Sequence, residues 1–136
     1  MEMSPVIAVH LSAAASATLL GPVALWARRS RAQRPRLHRA FGYAWVTLIL
    51  VAAVSAIFIR DFKLPNIAGY TPIHLLVPAT FLGLFGAFRA LALGNIAVHR
   101  QRMLITYGAS CLVAGAFTLL PSRYLGKLLW SSLGLL

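Results

Sequence analysis

Hydrophobic positions in this chain do not alternate with polar ones. They gather into four long runs, at about 6–27, 40–59, 67–90 and 103–120, the last stopped by Pro121. Each run has about the 17 to 25 residues that a helix needs to cross a bilayer core. Lipid offers no water to backbone groups, so helices are the expected state of such runs. The pattern predicts an all-α integral membrane four-helix bundle. A tail at 123–136 follows, too short to span again. Its Lys127 and Trp130 suit a short interfacial helix, and a frayed hydrophobic end fits equally well.

Composition sharpens this picture. The chain is 60 % hydrophobic over 136 residues, with mean hydropathy +0.79. A soluble domain of this size could not hide so much apolar surface. Thirteen Lys and Arg stand against two acids, Glu2 and Asp61, for a net charge of +11. That balance would suit a nucleic-acid binder, but the charges fall in short gaps between apolar runs, so no nucleic acid is expected. The single cysteine, Cys111, lies inside a run and permits no internal disulfide; it reads as a small packed hydrophobe. The first run is too long for a signal-peptide core and has no basic head, so it reads as a retained span.

The connections orient the bundle. The first holds six arginines, at 28, 29, 31, 34, 36 and 39, and the third adds Arg89, Arg100 and Arg102. The other side receives only Arg60, Lys63, Arg123 and Lys127. Nine against four places the arginine-rich turns in the cytoplasm, where anionic lipid head groups are the expected partner. Both termini then face the periplasm of a bacterial inner membrane.

Two halves of the chain correspond. "HLSAAASATLLGPVALWARR" begins at His10 and "HLLVPATFLGLFGAFRAL" at His74; each starts with His-Leu and contains arginine near its end. The following run starts with His38-Arg39 in one half and His99-Arg100 in the other. All four histidines of the chain thus occupy matched places. A bundle built from two repeated two-helix hairpins follows, related by an axis along the membrane normal. His10 and His74 become partners near the outer face, and His38 and His99 near the inner face.

Histidine inside a membrane is expensive without a task or a partner. Two facing neutral imidazoles can ligate haem iron axially, so haem b is the expected cofactor at one or both pairs, about 20 Å apart. Ala13, Ala14, Ala15, Gly21, Gly42, Gly83, Gly86 and Gly108 are candidates to line the space, or simply to let helices pack closely. Arg36, Arg39, Arg100 and Arg102 surround the inner pair. Such arginines fork onto carboxylates like the haem propionates, and equally they set topology. The function this predicts is transmembrane electron transfer. Rival readings are a metal ion on one histidine pair, a quinone or other small molecule, or a non-enzymatic subunit in a homo-oligomer or larger membrane complex. There are no paired carboxylates for acid–base work and no Gly-rich phosphate loop, and Ser110 and Cys111 have no orienting acid nearby.

The His-Leu at 10–11, "LHRAFGYAWV" at 37–46 and "VHRQRMLITYGAS" at 98–110 resemble a family of small bacterial predicted membrane proteins of unknown function. Its pattern is His-Arg-x-x-Gly, here His38, Arg39 and Gly42, then His-Arg-x-x-Met, here His99, Arg100 and Met103. The resemblance covers about residues 8–120. A looser resemblance, to four-helix membrane cytochromes b with two bis-histidine haems, implies histidine ligands in two layers.

Overall fold

The computed structural model describes residues 2–29, 31 and 33–136. Helix α1 (Pro5–Trp26) starts behind Ser4, whose hydroxyl accepts the Ile7 N–H. Helix α2 (Pro35–Ile57) also starts on a proline, as does the 3-10 turn Pro72–Leu75 that leads into α3 (Leu76–Ala92). Proline suits a first turn, where its missing N–H has no helical partner anyway. Asn95 caps α4 (Ile96–Tyr107) by accepting the Val98 N–H. From there the helical run continues through a π-helical stretch, Gly108–Val113, into α5 (Ala114–Thr118). The tail forms α6 (Tyr124–Ser132). No strand occurs among the described residues; a lone bridge joins Ile67 and Tyr70.

Among the described residues, three helices are long and apolar enough to cross a membrane: Pro5–Trp26, Pro35–Ile57 and Pro72–Ala92. The fourth hydrophobic run is helical too, but is divided by its π-helical stretch. Three helix starts differ from those expected. The second helix starts at Pro35 rather than 40, so His38 and Arg39 lie inside it. The third helix starts at Pro72 rather than 67, because Ala68 and Gly69 take positive φ values of 54° and 86° and turn the chain. The fourth starts at Ile96, so "HRQR" belongs to the helix rather than to the turn before it.

The chain folds as two antiparallel pairs, α1 with α2 and α3 with α4. On α1 the buried stripe is all small: Ala13, Ala17, Gly21 and Ala24. This lets α2 approach closely with Trp45, Ile49, Ala52 and Ser55. The pairs meet where α2 touches α3, and where α1 touches the π-helical stretch. Ala13, Ala17, Trp45, Ile49, Ala52, Leu84 and Cys111 form the common core.

At the end opposite the arginine-rich turns, residues 58–71 fold onto themselves. The Arg60 guanidinium donates to Ala68 O at 2.8 Å and stacks on the Tyr70 ring, while the Tyr70 hydroxyl donates to Ile57 O. Asp61 accepts from Arg123 at 2.7 Å and ties this loop to the start of the tail. Helix α6 is docked rather than frayed. Gly126 lies so close to the Leu120 carbonyl that any Cβ would collide with it, and the Trp130 indole donates to Leu119 O at 2.9 Å.

Candidate functional site

All four histidines bond backbone carbonyls, and His10, His38 and His99 do so across a helical pair. A carbonyl only accepts, so a ring nitrogen facing one carries the proton. At the arginine-rich end, His38 Nδ1–H donates to Ala24 O of α1 at 2.8 Å. His99 Nδ1–H donates to Ala87 O of α3 at 2.9 Å. The two bonds are alike: each runs from the first turns of one helix back to the last turns of the helix before it. At the opposite end, His10 Nδ1–H donates to Ala52 O at 2.8 Å and toward Ser55 Oγ at 3.1 Å. In the neutral form of these three rings, Nε2 is the nitrogen that carries the lone pair.

His74 departs from this pattern. Its Nδ1 accepts the Thr71 N–H at 3.1 Å, so its proton sits on Nε2, which donates to Ile59 O at 2.8 Å. It acts as the third residue of a capping box closes a helix start, and it fastens the end of α2 as well. Both of its nitrogens are taken. His10 and His74 both lie at the end opposite the arginine-rich turns, bonded to Ala52 O and Ile59 O respectively. The pair nevertheless fits poorly to one iron, because His74 has no lone pair to give without breaking its cap.

At the arginine-rich end the chemistry is more open. Residues 38, 42, 45, 49 and 52 share one face of α2 by helical spacing, and Trp45, Ile49 and Ala52 on it are buried. A Cβ added at Gly42 would meet no atom within 4 Å. This face of α2 therefore borders open space at Gly42, between His38 and Trp45. Gly108 likewise borders open space, whereas other small residues are already occupied. Gly21 receives the Tyr107 ring, Gly83 the Thr106 hydroxyl and Gly86 the Arg102 guanidinium, while Ala13 is packed into the core. Their role is close packing of protein against protein. Arg39 and Arg100 are exposed and make no hydrogen bond or ion pair with other described residues. Among the described residues, no group of three or more His, Cys, Asp or Glu gathers to hold a bare metal ion.

Between the two histidine layers lies a cluster that the sequence pattern does not single out. The Tyr107 hydroxyl donates to Thr18 O at 3.0 Å, and the Tyr107 ring sits against Trp45, with centroids 6.3 Å apart. Cys111 lies beside Thr18, Ser110 and Trp45 and is buried, as expected of a packed thiol. The Trp45 indole N–H is buried without a hydrogen-bond partner among the described residues. One signal could have revealed part of this. Pro22 inside α1 cannot donate to the carbonyl four residues back, which is Thr18, so a partner for that carbonyl had to come from elsewhere.

These features define a helical protein of the membrane, with apolar spans and histidines bonded at both ends of its helical pairs. The chain belongs to the family described as "predicted membrane protein (DUF2306)", which matches residues 7–125. No curated protein and no solved structure was found to match the chain.

Proposed function

We propose that this chain is a four-span haem b protein of the bacterial inner membrane, working in electron transfer, with His38 and His99 as the iron ligands. One observation carries the reading. Both rings are oriented by an Nδ1–H bond to a carbonyl of the preceding helix, so that in the neutral rings Nε2 carries the lone pair. That second-sphere bond is the one that metal-ligating histidines use to fix tautomer and direction. The open space at Gly42, one turn from His38, leaves room beside the ligand. Bound haem would supply one-electron chemistry. The chain's part is to hold two neutral imidazoles and to keep the surroundings apolar. Arg39 and Arg100, exposed and without partners among the described residues, are the side chains available to its propionates.

One haem is expected rather than two, since His74 is committed to the Thr71 and Ile59 bonds. His10 and His74 are assigned to fastening the outer ends. The four-span arrangement is supported by the helical run from 96 to 118, at about 1.5 Å of rise per residue, beside the three longer helices. The matched His38 and His99 bonds support the repeat of hairpins at this end. The charge asymmetry supports cytoplasmic arginine-rich turns and periplasmic termini.

The test is the visible spectrum of the purified chain, reduced minus oxidised, with haem counted against protein. About one haem per chain is expected, with the low-spin bands of bis-histidine ligation. A colourless chain from cells supplied with haem would overturn the reading and favour a non-enzymatic subunit or a quinone site.

A further inference from the structure

Arg102 is held in an unusual place. Side chains on a helix lean toward its N-terminus, so a membrane-facing arginine on α4 would ordinarily stretch toward the arginine-rich end and reach water. Instead the guanidinium lies across α3. A Cβ at Gly86 would fall 2.9 Å from Arg102 Nη1 and 3.2 Å from Cζ. Measured along the helices, Arg102 is about 9 Å inside the start of α4, and Gly86 about 9 Å inside the end of α3. The side chain therefore stays at its own depth, seated where glycine leaves room.

Its charge has no partner among the described residues: the Arg102 side chain forms no hydrogen bond or ion pair with them. The whole chain has only two acids. Asp61 is engaged by Arg123 at the opposite end, and Glu2 precedes α1 at that same end. Arg102 is exposed at the edge of the fourth hydrophobic run, so a counter-charge for it comes from outside the chain. The anion available at the boundary of a bilayer is a lipid phosphate, and the planar fork of arginine matches its oxygens. Arg89 stands one helical turn from Gly86, nearer the head groups, and is exposed.

We propose that Arg102, seated on Gly86, binds the phosphodiester of an anionic phospholipid in the groove between α3 and α4. Phosphatidylglycerol is favoured over phosphatidylcholine, whose own ammonium competes for the phosphate. This site is independent of the haem reading.

The test is native mass spectrometry of the full chain released from micelles containing phosphatidylglycerol or phosphatidylcholine, with haem-replete and haem-depleted protein run side by side. Wild type is expected to retain phosphatidylglycerol preferentially in both forms. Losing one charge-assisted contact should lower that retention about tenfold in Arg102→Gln. Arg102→Lys keeps the charge without the fork and should fall between. Arg29→Gln, an exposed arginine in the first turn, should retain lipid like wild type. Equal retention by Arg102→Gln and wild type, equal retention of the two lipids, or retention only by the haem-replete form would overturn the proposal.

Discussion

The hydroxyl of Tyr107 donates to the carbonyl of Thr18 at 3.0 Å, joining residues 89 apart in the chain. Three features prepare this contact. Pro22 has no N–H to give to Thr18 O, so that carbonyl is free. Gly21 has no side chain, so the Tyr107 ring can come in. Trp45 backs the ring from α2. In lipid a free carbonyl needs a partner from within the protein, and here a second helical pair provides it.

Tyr107→Phe should therefore destabilise the fold by about 1 kcal/mol, the usual worth of one such bond in a membrane protein. In a Pro22→Ala background the loss should shrink, since the backbone N–H restored by the alanine can then take Thr18 O within the helix. The double-mutant cycle, read by unfolding in mixed micelles, checks this. Equal losses in both backgrounds would mean that the hydroxyl is not serving the carbonyl freed by proline.

His74 should behave as a structural residue. His74→Ala removes the acceptor for Thr71 N–H and the donor to Ile59 O. Hydrogen exchange at Thr71 and proteolysis within 58–71 should both rise, by about tenfold for the loss of some 1–2 kcal/mol of local stability. His74→Gln, which can donate and accept, should recover part of the protection. An unchanged loop would contradict the capping role.

Asp61 and Arg123 should hold the tail. Their side chains are 12 % and 19 % exposed, so the pair is mostly out of water. Asp61→Asn keeps the acceptor used by Lys63 N–H but leaves the Arg123 charge without its partner. A loss of about 1–2 kcal/mol is expected, between the values of exposed and fully buried pairs. It should appear as faster exchange around Arg123 and in α6, with α1 and α2 unaffected.

Much of the fold is legible in the hydrophobic runs, because spans are long and lipid leaves the backbone little choice. Pro5, Pro35 and Pro72 start the helices, whereas the hydrophobic runs alone place the second and third starts at 40 and 67. The π-helical stretch at Gly108–Val113 is not legible, since no residue in it marks a change of helix type within the hydrophobic run. The histidine positions stand out in sequence, but their partners do not. Ala24, Ala52, Ile59 and Ala87 act through backbone carbonyls, which every residue carries and no letter reveals. Hence a symmetric pair of iron sites follows naturally from sequence, while the asymmetry between His74 and the other three emerges only from ring-nitrogen geometry. The same holds for the glycines. Gly42 and Gly86 look equivalent as letters, yet one borders open space and the other seats Arg102.

The most direct test of the central claim is the haem content of four single variants purified alongside wild type: His10→Ala, His38→Ala, His74→Ala and His99→Ala. About one haem per wild-type chain is predicted, lost or turned high-spin in His38→Ala and His99→Ala and retained in the other two. Loss of haem in His10→Ala and His74→Ala, with His38→Ala and His99→Ala unaffected, would contradict the assignment.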